Sequence, residues 1–163
     1  MIDLHSHTTA SDGQYPPEEQ VARAAQAGVK VLAITDHDTV DGLQAAQPVA
    51  QARGMRLIPG IEISISVNRR EVHILGHFVD PQAPQLRDFS AQLKIERESR
   101  MREMVHKLQR LGFPITMDMV NEVAHGALLT RPHLARVMVE FGYCKSLPVA
   151  FSRFLGDGKP AHV

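Results

Sequence analysis

Extended apolar stretches alternate with helical ones over the first eighty residues, and that alternation restricts the chain more than any other feature of its sequence. Residues 2–5 read as a short strand. Pro17, Glu18 and Glu19 read as a helix start, with proline tolerated in the first turn and carboxylates at the positive end of the dipole. That helix continues through Val21, Ala24 and Ala25 and stops at Gly28, a good C-terminal cap. Residues 31–35 (VLAIT) form a second, buried strand. Asp41 is placed to cap a second helix ending near Gly54, and Pro48 inside it is expected to kink or split it. Residues 57–67 give a third extended stretch and 71–79 a fourth, with a turn at Asn68-Arg69-Arg70 between them. Strand, helix, strand, helix, strand is the pattern of a parallel sheet with crossover helices.

After Pro81 the character changes. Apolar residues recur at Leu86, Phe89, Leu93, Met101, Met104, Leu108 and Leu111, which fits one long amphipathic helix over 84–111 ended by Gly112. Shorter helices are expected near 117–124, 131–141 and 147–155, with Thr130 as a cap and Gly142 as a terminator. The division expected is an α/β segment over 1–80 and a helical segment over 81–163.

Histidines and carboxylates gather where the strands end. Five of the nine histidines lie in the first 77 residues. His5 and His7 are two apart at the end of the first strand, so both can face one ion. The loop that follows returns Asp12 to the same rim. Thr35-Asp36-His37-Asp38 follows the second strand directly, where α/β folds place their sites. Glu62 interrupts the third apolar run, and a buried carboxylate needs a partner or a metal. His73 alternates with apolar neighbours on the fourth stretch. Each signal has a plainer reading: chance, a polar loop with a helix cap, or an ion pair from Glu62 to Arg56 or Arg69. His77 reads as a core or rim histidine and stays outside the site. Together the donors suit Zn²⁺, Mn²⁺ or Fe²⁺. Six protein ligands imply more than one ion, and paired ions clamp the attacking and leaving oxygens of a phosphoryl transfer.

The order HSHTTASDG, ITDHDT, GIEIS, VHILG resembles the polymerase-and-histidinol-phosphatase (PHP) superfamily, closest to its stand-alone bacterial members that act on nucleotides and RNA ends. The likeness is strong over residues 1 to about 80 and looser over 125–163. It implies an α/β fold, the N-terminal part of a distorted (β/α)₇ barrel followed by a helical insertion. It also implies a di- or trinuclear site. In that scheme His5, His7 and Glu62 hold one ion, Glu62 and His73 a second, Asp12 and His37 a third. Asp36 and Asp38 would orient ligands from behind. Arg131, His133 and Lys159 would contact substrate phosphate. Because the family's later ligands follow Val163, the resemblance implies an incomplete chain with exposed strand edges and at least one ligand missing from each ion.

The activity implied is hydrolysis of a phosphate monoester of a nucleotide or similar small substrate, or 5′-to-3′ exonuclease-like cleavage, by a metal-bound hydroxide. The isolated chain is expected to be weak or inactive. The rivals are a non-catalytic structural PHP module and a helical interaction domain. A second copy covering the open barrel edge is a further expectation. The remaining bulk features fit the cytoplasm. Net charge is zero, which excludes a strongly basic nucleic-acid binder. Nothing at the N-terminus reads as a signal peptide. One cysteine, Cys144, leaves neither a disulfide nor a thiolate zinc site.

Overall fold

The computed structural model describes residues 1–67 and 70–163. The first two residues of the turn expected at Asn68-Arg69-Arg70 therefore lie outside the described residues. Two compact units emerge, Met1–Leu93 and Lys94–Val163.

The first unit is built on a four-stranded sheet in the order β1-β2-β3-β4. β1 is Ile2–Asp3, β2 Val31–Ile34, β3 Arg56–Val67 and β4 Arg70–His77. β1 is shorter than the expected 2–5, because the chain leaves the ladder at Leu4 to aim its histidines. β1, β2 and β3 run parallel, with Leu32 paired to Leu57 and Ile34 to Pro59. β3 and β4 form an antiparallel hairpin in which Ser64 faces His73 and Glu62 faces Leu75. The sheet curls: at the end of β4, His77 Nε2 lies 2.8 Å from the Leu4 carbonyl beyond β1. His77 is thus a rim residue that ties two strand ends together.

Helices α1 (Pro17–Gln26) and α2 (Gly42–Ala52) cross between the parallel strands. Each ends in a left-handed glycine, Gly28 and Gly54. Val29 N–H donates to Ala24 O and Met55 N–H to Ala50 O, the six-to-one bond of a Schellman cap. Two expectations at α2 fail. Asp41 has helical φ and ψ and makes no side-chain cap; Thr39 Oγ1 accepts the Asp41 N–H instead. Pro48 does not split the helix. Pro48 and Gln44 are both exposed, so water can reach the Gln44 carbonyl that proline leaves without a donor. Val21, Leu32, Ile34, Leu43, Ala46 and Ile61 form the core of this unit. Burying each larger aliphatic contributes about 1.5–3 kcal/mol. Ile65, Val67, Val72 and Ile74 of the hairpin stay exposed.

α3 (Pro84–Arg110) contains the boundary between the units. Its buried residues are all in the second: Met101, Met104, Val105 and Leu108. Phe89, from the same periodic series, is exposed. The second unit continues with α4 (Met117–Ala124), α5 (Arg131–Glu140) and α6 (Leu147–Ala150). The last expected helix, 147–155, is only half α: a π-helical turn, Phe151–Leu155, completes it. Leu108, Val120, Leu134, Met138 and Leu155 form this unit's own core.

Candidate metal centre

The segments after β1 and β2 deliver part of the site, while Glu62, expected at a strand end, and His73 project from within β3 and β4. Ser6 is buried and donates from Oγ to the Ala33 carbonyl at 2.7 Å. That anchors the middle residue of His5-Ser6-His7 inward and leaves both imidazoles on the opposite side. On the second strand the ladder continues past its end. Glu62 N–H donates to Asp36 O at 3.1 Å, and Asp38 N–H to Glu62 O at 2.9 Å. His37 is thereby bridged in parallel to Glu62. Asp38, buried with a positive φ of 53°, accepts the Ser64 N–H at 2.7 Å and fixes the hairpin to the same loop. Asp tolerates that left-handed conformation better than most residues.

Glu62 is the hub, with only 3% of its surface exposed. Its Oε2 lies 3.1 Å from His5 Nε2, 2.9 Å from His7 Nε2 and 3.7 Å from His37 Nδ1. Its Oε1 lies 2.8 Å from His73 Nδ1. Four imidazoles surround this carboxylate; among the described residues Arg56 does not pair with it, and Arg69 lies outside the described residues. His7 turns its other nitrogen to Asp12 Oδ1 at 3.1 Å, and His37 Nε2 is 3.7 Å from Asp12 Oδ2. Three groups result, each with ligand atoms within 4.8 Å of one another: His5, His7 and Glu62; His7, Asp12 and His37; His37, Glu62 and His73.

The donor chemistry fits divalent ions. His5 Nε2 and His7 Nε2 are 3.0 Å apart, and two imidazole lone pairs aimed at one point repel unless a proton or a cation sits between them. The two oxygens of Glu62 face different groups, which is what a bridging carboxylate requires. Charge interactions inside the cluster are strong. Burial pushes the Glu62 pKa up, but the positive field of His37, the hydrogen bond from His5 and the charges of His7 and His73 bring it below the ordinary 4.5. Burial pushes His7 down, yet the Asp12 hydrogen bond and the carboxylates of Asp12, Glu62 and Asp36 raise it above 6.5.

All six residues singled out as metal ligands in the sequence meet here. The expected phosphate contacts lie in the second unit. Arg131 pairs with Asp157 at 3.1 Å. His133 is buried, and its Nδ1 accepts the Thr130 N–H at 3.2 Å, closing the start of α5. Lys159 is exposed. Sequence reading passed over Thr8 and Ser11, whose hydroxyls flank the candidate ligands. Hydroxyl residues placed next to His7 and Asp12 in the HSHTTASDG run were the available signal.

A curled sheet carrying a histidine-carboxylate cluster defines an α/β protein with a candidate metal centre. The chain belongs to the PHP domain family, whose model matches residues 3–100. It is 40% identical to a 5′-3′ exoribonuclease of Salmonella typhimurium over all of this chain and 56% of that protein. It is 37% identical to a 3′,5′-nucleoside bisphosphate phosphatase of Chromobacterium violaceum, over 99% of this chain and 57% of that protein. A solved structure from Bifidobacterium adolescentis, named as a metal-dependent phosphoesterase, superposes with a TM-score of 0.91 at 30% identity. It covers 99% of this chain and 57% of that one. The chain thus spans little more than half the length of these relatives.

Proposed function

We propose that the cluster holds two or three divalent ions and that the protein hydrolyses a phosphate ester of a nucleotide or an RNA end. The observation that carries this reading is the convergence of six donors, from the segments after β1 and β2 and from within β3 and β4, into three overlapping groups. The relatives' names, an exoribonuclease and a nucleoside bisphosphate phosphatase, support the substrate class. Mn²⁺, Zn²⁺ and Fe²⁺ are the ions that imidazole-carboxylate sets favour. When bound, such ions generate a nucleophile from water near neutral pH and absorb negative charge on phosphoryl oxygens.

The chain's residues would work as follows. His5, His7 and Glu62 hold one position, His37, Glu62 and His73 another, His7, Asp12 and His37 the third. Glu62 belongs to the first two groups and would serve both positions. Asp38 holds the hairpin against the loop that carries His37. Arg131 would meet substrate phosphate, exchanging its Asp157 partner for another anion.

The test joins elemental analysis to activity, on this chain and on a version continued to its relatives' length. Ions should be bound by both and removed by chelator. Mn²⁺-dependent hydrolysis of a nucleoside bisphosphate or a 5′-phosphorylated RNA should disappear in His37→Ala. Normal turnover by that variant overturns the assignment. Arg131→Ala should raise KM about 10- to 100-fold, the loss of one charged hydrogen-bond partner.

A further inference from the structure

Behind one of the three ion positions stands a second triad, made of hydrogen bonds. Asp36 is buried to 1% exposure and accepts three donors. Thr8 N–H reaches Oδ1 at 2.7 Å, Thr8 Oγ1 reaches Oδ2 at 2.7 Å, and Ser11 Oγ reaches Oδ1 at 2.6 Å. Thr8 and Ser11 are themselves fully buried. The loop between them is wound tightly: Ser11 and Gly13 both donate to the Thr8 carbonyl, and Ala10 N–H donates to Thr8 Oγ1. Space is tight as well. A Cβ at Gly42 would come within 2.9 Å of both Asp36 Oδ2 and Thr8 Oγ1, and one at Gly13 within 2.4 Å of the His7 carbonyl.

The sequence positions are what give this clasp its meaning. Thr8 follows His7, Ser11 precedes Asp12, and Asp36 precedes His37. Each member of the clasp is the chain neighbour of one member of the His7, Asp12, His37 group. None is the neighbour of Glu62 or His73. We propose that Asp36, through Thr8 and Ser11, is the positioning residue of the ion position formed by His7, Asp12 and His37. This rests on the metal-centre reading above. Asp12 sits on a loop outside any strand, so nothing in the sheet ladder sets its distance from His37; the clasp does. Glu62 and His73 lie in β3 and β4, and His5 is anchored through its neighbour Ser6, which donates to the Ala33 carbonyl, so these three do not depend on it.

The test is a calorimetric Mn²⁺ titration of the 163-residue chain, with the melting temperature of the metal-free form measured alongside. Asp36→Ala should lose one ion per chain, or weaken that ion by about 10- to 100-fold, the range found when outer-shell partners of a metal site are removed. The remaining ions should bind as in the parent. Ser11→Ala removes a single donor and should weaken the same ion about tenfold; it decides the matter if Asp36→Ala does not fold. Asp36→Asn keeps an acceptor for Thr8 N–H and Ser11 O–H and should retain most of the affinity, which separates geometry from charge. Unchanged titrations in Asp36→Ala and Ser11→Ala overturn the proposal. So does an equal weakening of every ion that tracks the fall in metal-free melting temperature, which a purely structural clasp would give. A parent chain that takes up no Mn²⁺ overturns the metal-centre reading first.

Discussion

Glu62 and His7 sit in the same cluster and respond to pH with opposite sign. The Glu62 pKa is lowered below 4.5 in the folded chain, burial being outweighed by the surrounding imidazoles. Its stabilisation is therefore present above its unfolded pKa and lost as pH falls through the lower folded one. The His7 pKa is raised above 6.5, burial being outweighed by Asp12, Glu62 and Asp36. Its stabilisation is present below its unfolded pKa and lost as pH rises through the higher folded one. The metal-free chain should then lose stability as pH rises from the ordinary histidine pKa of 6.5 through the higher folded pKa of His7. Metal binding has the other sign, because ligands bind deprotonated. Scanning calorimetry in chelator should show a melting temperature that falls across this window, while saturating Mn²⁺ should make it rise. Parallel trends in both would show that the imidazoles are not ligands.

The elements explain why some of this is legible in the sequence and some is not. Gly60, in the middle of β3, lets the third strand approach the second. A Cβ there would lie 2.7 Å from Thr35 Cγ2 and 2.9 Å from the Ile34 carbonyl. Backbone cannot yield as a side chain can, so Gly60→Ala should cost about 1–3 kcal/mol. A urea titration should show a lower midpoint with unchanged slope. The run VLAIT and the period of α3's second half read directly, because burial on one face leaves a pattern of fixed spacing. The six candidate ligands stood out because imidazoles and carboxylates beside or within apolar strands interrupt that pattern. Asp41 and Pro48 misled for a common reason: both rules concern local backbone, and local context decided each case. Thr39 Oγ1 took the Asp41 N–H, and the exposed side of α2 could leave the Gln44 carbonyl to water. The π-helical turn Phe151–Leu155 has no period that separates it from an α-helix over five residues. Asp36 was marked in the sequence as orienting ligands from behind, but its partners Thr8 and Ser11 lie 28 and 25 residues away and only the fold joins them.

At the scale of the molecule, the candidate ligands and the second core belong to different units. His5, His7, Asp12, His37, Glu62 and His73 all fall within Met1–Leu93. The two cores share no residue. Stability and metal capacity should therefore respond separately to mutation. Leu134, on α5, is fully buried in the second core. Leu134→Ala should cost about 2–5 kcal/mol, transfer and cavity terms together. Well below its melting temperature, the variant should still bind as many Mn²⁺ per chain as the parent, because none of its lost contacts supports a ligand. Stability would be read by chemical denaturation and ion number by elemental analysis after desalting. A drop in bound ions under folded conditions would mean that the helical unit helps to shape the metal centre, and the ligand set read from the first unit alone would be incomplete.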